Sequence, residues 1–359
     1  MFCIAAFVVL FFCGIFSAAY RQLARKAWHC VVRRVTFRPC DINFSEEMKG
    51  KLLGKIILVH PRLARFLDRW IDAFAWVFAV LTVWSLASVA ISGLNLWIYD
   101  TCSPGNPEGC SLSGEACSIS SYRPGFGESL RKGQPLVWAS SEAETFRDTI
   151  GLIPARFRTW RAQDYIPPGS RTYRPTDPAK PWALEIVDPG CSACAHLFRN
   201  IKAAGFENRY NLTYLAFPIP QTGTWTGYKF INSYLIAQWL EAMKQVQPAH
   251  PTSDVPADWL LLEKLYTGSD TKGVSWQERF DMTFGPDEAR ATMKEFCRAF
   301  GYSEEQIGQI ARIASSKGIA DRVHADQAIV EQQIRTVKIP TILFGGRRYD
   351  RVVAVEKLK

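Results

Sequence analysis

Two stretches of the chain carry no charged side chain, residues 1–20 and residues 73–98, the second running from Ala73 to Ile98. A helix rises about 1.5 Å per residue, so each stretch is long enough to cross a hydrocarbon layer of about 30 Å. The backbone finds no water in such a layer, and a single spanning segment must satisfy its own N–H and C=O groups as a helix. The expectation is two transmembrane helices, over 1–20 and 70–99. Trp70 and Trp76 near one end of the second span, and Trp97 and Tyr99 at the other, suit interfacial aromatic belts.

The formal net charge of +9 is unevenly placed: residues 21–69 hold 12 Lys/Arg against 4 Asp/Glu, and the rest of the chain is close to neutral. A nucleic-acid footprint would set that charge on a folded domain. Lys and Arg flanking a span instead hold a loop in the cytoplasm. Residues 1–20 also offer small residues for signal-peptide cleavage at Ser17-Ala18-Ala19, but a signal peptide places its positive charge before the apolar core. Here Arg21, Arg25 and Lys26 follow it. The expected topology is a bacterial inner membrane with the N-terminus outside, a basic cytoplasmic loop over 21–69, and residues 100–359 periplasmic or extracellular. The lipid bilayer is thus an expected partner and nucleic acid is not.

Of ten cysteines, Cys3 and Cys13 fall in the first span and Cys30 and Cys40 in the basic loop. Cys102, Cys110, Cys117, Cys191, Cys194 and Cys297 lie on the side where disulfides persist. Residues 100–180 read as a Cys- and Pro-rich tether, with six prolines between 153 and 181 and a short helix around 142–150. Cys102, Cys110 and Cys117 are odd in number, and two of them are candidates for a structural disulfide within the tether. The third is left to pair with Cys297, to relay electrons or to stay free. Cys297 itself, on an amphipathic stretch, reads as a buried small residue.

The texture changes at Trp182. Trp182–Val187 reads as a buried strand, Asp188-Pro189-Gly190 as a breaker, Cys191 onward as a helix, and Asn211–Phe217 as a second strand, a βαβ pattern. Asn211-Leu212-Thr213 fits a glycosylation sequon but begins a strand and is discounted. Residues 229–336 are mostly helical by period, with Ser303 and Gln306 spaced as a capping box. Thr341–Phe344 and Tyr349–Val355 read as a hairpin about Gly345-Gly346. The domain expected over 181–359 is therefore α/β with a helical insertion at about 229–336.

Cys191-Ser192-Ala193-Cys194 stands where a strand meets a helix. A helix N-terminus presents free N–H groups and about half a positive charge, which favours thiolate at Cys191. Cys194, one turn on, is placed to resolve a mixed disulfide formed through Cys191. Two thiols at this spacing also occur in zinc sites, but no second pair of ligands follows at the usual spacing. Glu185 sits six residues before Cys191, inside the apolar strand, where burying an acid without a task or partner is costly; its other reading is the exposed side of an edge strand. Ile339-Pro340 precedes the last strand pair, where proline starts an edge strand or accepts a cis bond.

Together these residues resemble the thioredoxin superfamily, specifically the exported DsbA and DsbC/DsbG branches, over Trp182–Pro220 and Ala320–Val355. The resemblance implies a thioredoxin-like fold with a large helical insertion, preceded here by two transmembrane helices. It implies Cys191 as nucleophile, Cys194 as resolving thiol, Glu185 as proton acceptor for Cys194, and Ile339 with a cis Pro340 as the clamp for extended substrate. Gly190 stands where the family carries an aromatic residue, and Ser192-Ala193 lacks the histidine of strongly oxidising members. His196 reads as an exposed helix residue outside the motif, and the closing helix is expected to be short or missing.

The function expected is membrane-anchored thiol:disulfide exchange on exported proteins, without metal or organic cofactor, recycled by a membrane or soluble redox partner. Whether it oxidises, reduces or isomerises stays open. Two other classes remain: a redox-silent component of an envelope or secretion complex, with the CxxC as static crosslink, and a soft-metal chaperone using the same thiols. The first class asks for a reactive, exposed Cys191, the second for an inert one, the third for a metal-protected one.

Overall fold

A computed structural model of the chain describes residues 25, 28–29, 61–99, 116–119, 125–221 and 227–359. The span expected over 1–20, most of the basic loop, and Cys102 and Cys110 lie outside the described residues. Strand β2 (Trp182–Val187) is the spine of the larger of two compact units, Ser92–Lys359. Residues Ala183 to Val187 of this strand are all buried, as befits a strand covered on both faces. Helix α4 (Ser192–Ala204) leads into β3 (Asn211–Ala216), which pairs parallel to β2 with Trp182 opposite Asn211 and Val187 opposite Ala216. On the other side β7 (Thr341–Phe344) pairs antiparallel to β2, with Glu185 opposite Ile342, and turns back into β8 (Arg347–Tyr349). The sheet order is β3-β2-β7-β8.

This is the βαβ unit and terminal hairpin that the sequence implies, with helices between them. The insertion contains α5 (Ser233–Met243), α6 (Ala257–Thr267), α7 (Pro286–Ala299), α8 (Glu304–Ala314) and α9 (Lys317–Ala328). Ser303 caps α8 through Gln306, as its spacing predicts. The last expected helix, 320–336, is instead α9 followed by a π-helical stretch, Ile329–Ile334, that ends at Arg335 with φ 55°. The second hairpin strand stops at Tyr349 rather than Val355, and a four-residue helix α10 (Val355–Leu358) follows.

The reading of 100–180 as a tether needs correction from residue 125 on. Two helices, α2 (Phe126–Arg131) and the 23-residue α3 (Pro135–Phe157), replace the short helix expected around 142–150. Pro135 sits in the first turn of α3, where its missing N–H costs nothing. Residues 158–180, though proline-rich, pack onto the domain. Trp160, Tyr165 and Tyr173 are buried in its core, and the Trp160 N–H donates to the Gly346 carbonyl at 2.9 Å. The aromatic rings supply apolar area that no 3.6 or 2.0 period announces.

Helix α1 (Pro61–Tyr99) is 39 residues long and crosses the boundary between the unit Met1–Ile91 and the larger unit. Its stretch Val80–Ile98 is long and apolar enough to cross a membrane, the one such helix among the described residues. Val80, Leu81, Val83, Trp84, Leu86 and Val89 are all exposed on it. In the larger unit, Trp259 joins four elements: its ring lies 4.7 Å from that of Tyr214, 5.3 Å from Tyr173 and 6.4 Å from Phe198. Trp259→Ala should cost about 3–5 kcal/mol through the lost ring and the cavity it leaves. Denaturant unfolding of the full chain in detergent checks this, and a loss under about 1 kcal/mol would show that the cluster is not the keystone.

Candidate functional site

Cys191 is the N-cap of α4, with φ −80° and ψ 118°, and Gly205 ends the helix in the left-handed conformation at φ 60°. The apolar face of α4, including Leu197, Phe198 and Ile201, is buried under the sheet and insertion. That burial fixes the helix N-terminus, and with it the two sulfurs. Cys194 is a free thiol, fully buried one turn along. Its Sγ accepts a hydrogen bond from the Asp188 N–H at 3.4 Å.

Asp188 is the residue that a reading of Asp188-Pro189-Gly190 as a mere breaker misses. Its carboxylate accepts from the Gly190 N–H at 2.8 Å, an Asx-turn, from the Ile219 N–H at 2.6 Å, and from the Ser233 hydroxyl. Its carbonyl accepts from the Tyr266 hydroxyl at 3.1 Å. Burial pushes its carboxyl up to about 6, against the pull of those hydrogen bonds. The Asp-x-Gly spacing was the available signal. Gly190 itself is required by crowding: a Cβ there would collide with the Phe230 side chain and the Asp281 carboxylate. Asp281, a second residue the sequence did not single out, is pushed up to about 8 by burial and by the charge of Asp188.

Glu185 is 1% exposed, and β2 is a central strand, so the edge-strand alternative does not apply. Burial alone pushes its carboxyl up to about 8, and its Oε1 has no hydrogen-bond partner among the described residues. An orphaned buried oxygen of this kind calls for an explanation, and a proton-transfer role is one. Burial raises the pKa of the Cys194 thiol, the Asp188 N–H offsets part of the rise, and the charges of Asp188 and Glu185 add a smaller push upward.

The Ile339–Pro340 peptide is cis, and the Ile339 carbonyl oxygen lies 3.8 Å from Cys191 Sγ. Pro340 is buried at the turn between β6 (Lys338–Ile339) and β7. The turn is held from beneath: the Thr341 hydroxyl donates to the Lys338 carbonyl at 2.8 Å, and Arg348 donates to the Ile334 carbonyl while pairing with Asp350 at 2.8 Å. The structure thus brings Glu185, Cys191, Cys194, Ile339 and Pro340 to one place.

Cys117 is the surprise. It does not pair within the tether as a structural disulfide with Cys102 or Cys110; it is joined to Cys191, with the two Cα atoms 6.4 Å apart. Strand β1 (Cys117–Ser118) runs antiparallel to β6, Cys117 opposite Ile339 and Ser118 opposite Lys338. Cys191 is therefore covered rather than exposed, at 0%. A pairing across 74 residues has no local sequence signal. Cys297 is buried and free, as expected, and His196 is half-buried rather than exposed. Asn211 of the discounted sequon is buried and donates to the Asp177 and Lys180 carbonyls. Among the described residues no three His, Cys, Asp or Glu side chains converge to hold a metal ion.

No protein-family model matches the chain, and no curated protein does. Solved structures do. A thioredoxin-like oxidoreductase from Silicibacter pomeroyi is similar at 14% identity and TM-score 0.37, over 55% of this chain and 93% of that one. The thiol-disulfide exchange protein alpha-DsbA2 from Wolbachia pipientis is similar at 13% identity and TM-score 0.34, over 52% and 83%. ScsC from Proteus mirabilis, in a transitional conformation, is similar at 10% identity and TM-score 0.33, over 65% and 94%.

The buried acid yields a pH prediction. The Glu185 carboxyl keeps its proton in the folded chain up to about 8, whereas the unfolded chain loses it near the ordinary 4.5. Between those values the folded state binds more protons, so stability falls as pH rises, by about 1.4 kcal/mol per pH unit for this group. Glu185→Gln should flatten the fall, and the variant should gain on the parent as pH rises from 5 to 8. Denaturation midpoints across that range measure it; parallel curves for the two proteins would place Glu185 in a solvated site.

Proposed function

We propose that this chain is a membrane-anchored thiol:disulfide oxidoreductase acting on exported proteins. The observation that carries the proposal is Cys191: its sulfur sits at the N-terminus of α4, already bonded to a cysteine presented in extended conformation beside Ile339 and cis Pro340. That is the geometry of a captured substrate.

In the forward step a client thiolate attacks the Cys191–Cys194 disulfide at Cys191. A client–Cys191 bond forms, and Cys194 leaves as a thiolate that takes up a proton from the Glu185 carboxyl. A second client thiolate attacks its own sulfur in the mixed disulfide and leaves with the disulfide, while Cys191 departs as a thiolate. The N–H groups and partial positive charge of the helix terminus favour that departure. In the reverse direction the Cys194 thiol gives its proton to the Glu185 carboxylate and attacks Cys191. A carboxyl pushed up to about 8 is poised to exchange protons near neutral pH both ways. Ile339 and Pro340 present backbone to an extended client, as one strand added to another.

The Cys117–Cys191 bond also favours a second reading, a redox-silent crosslink within an envelope or secretion complex. Exchange with a reduced two-cysteine peptide separates the two. The full chain should form and release mixed disulfides, Cys191→Ser should lose exchange altogether, and Cys194→Ser should exchange only through the peptide's own second thiol. Equal, negligible turnover in all three proteins supports the crosslink.

The exposed apolar stretch of α1 and the basic loop before it support a membrane anchor with residues 21–69 cytoplasmic and the redox domain periplasmic or extracellular. Topology reporters fused at Lys51 and Lys180 should read cytoplasmic and exported, respectively. A cytoplasmic signal at Lys180 would put the disulfide chemistry in a compartment that reduces it.

A further inference from the structure

Strand β1 occupies the place that a client would take. Cys117 is bonded to Cys191, the two residues of β1 pair in register with Lys338 and Ile339, and the Ile119 N–H donates to the Val337 carbonyl at 3.0 Å. Cys117 and Ile119 both pack against the buried core. Cys194, the natural resolving thiol, stands free behind this bond. Three cysteines thus share one oxidised pair.

We infer that Cys117 is a third redox cysteine of this chain: β1 is an internal substrate seated beside Cys191, and its disulfide exchanges with Cys194 to open the groove for a client. The inference rests on the exchange chemistry proposed above. The step needs no outside reagent. The Cys194 thiol gives its proton to the Glu185 carboxylate and attacks Cys191 Sγ. The Cys191–Cys194 bond forms, the Cys117–Cys191 bond breaks, and Cys117 leaves as a thiolate that takes a proton from water. One thiol, one carboxylate and one disulfide become one thiolate, one protonated carboxyl and one disulfide; the proton from water makes the Cys117 thiolate a thiol, and the number of electrons is unchanged. A reducing client then meets Cys191–Cys194 in an open groove. While β1 is seated, Cys191 is shielded from stray thiols: it is 0% exposed, and Cys117 is the half-buried end of the bond.

A tethered cysteine competes at an effective concentration on the order of millimolar. Against a client peptide at tens of micromolar, its removal should speed exchange on the order of 10–100-fold. The test uses the full chain in detergent, acid-quenched, alkylated and mapped for disulfides by mass spectrometry. The parent should contain both 117–191 and 191–194 linkages, and Cys194→Ser should hold 117–191 as its internal disulfide. Cys117→Ser should hold 191–194 and exchange with the two-cysteine peptide at the raised rate. Absence of the 117–191 linkage from both the parent and Cys194→Ser overturns the inference, as does an exchange rate that is measurable in the parent and no faster in Cys117→Ser. Both linkages present with no peptide exchange in any variant leaves the internal exchange standing and sinks the client reading instead, so the two failures are told apart.

Discussion

The carboxylate of Asp188 fastens three segments that sequence separates. It accepts from Gly190 in the turn before the helix, from Ile219 after β3 and from Ser233 at the start of α5. The same residue's N–H reaches Cys194 Sγ, and its carbonyl receives the Tyr266 hydroxyl of α6. One side chain and its peptide groups therefore set the position of the CxxC turn, the exit of the parallel strand and the docking of the insertion. In a buried setting each of these bonds is strong and costly to leave unmade. Asp188 thus adds a hydrogen-bonded hold at the N-terminus of α4 to the burial of the helix's apolar face.

The electrostatics of the site follow from that placement. Cys191 sits at the positive end of α4, while Cys194, one turn deeper, faces the buried acids Glu185 and Asp188. The two sulfurs of one short motif thus sit in different surroundings: Cys191 at the helix terminus and bonded to Cys117, Cys194 a buried thiol whose pKa is raised by that burial. Asp281, half-buried beside Gly190, adds a further carboxyl to the same low-dielectric surroundings.

The helical insertion is more than a lid over the sheet. Trp259 from α6 meets Tyr173 from the proline-rich approach, Phe198 from α4 and Tyr214 from β3, so the approach segment, α4 and the insertion share one aromatic cluster. Chain that precedes the strands is thereby locked to the domain, and β1, further upstream, reaches β6 within the same unit.

By itself the sequence determined the elements whose signal is local. An uncharged run of apolar residues is long enough to cross a membrane as a helix, and α1 carries one such stretch. Trp182–Val187, the breaker and Cys191–Cys194 spell strand, turn and helix start, and Ile339-Pro340 marks the turn before the last hairpin. Glu185 was legible because an acid within an apolar strand is energetically conspicuous. Tertiary structure decided what depends on distance along the chain. The order β3-β2-β7-β8 made β2 central and so buried Glu185. The packing of Trp160, Tyr165 and Tyr173 turned an apparent tether into part of the domain, because scattered aromatic rings carry area without period. The partner of Cys191 was chosen by the pairing of β1 with β6, a contact between residues more than two hundred positions apart. Cysteine spacing alone holds no record of such a contact, since which sulfurs meet is fixed by where the sheet brings their backbones together.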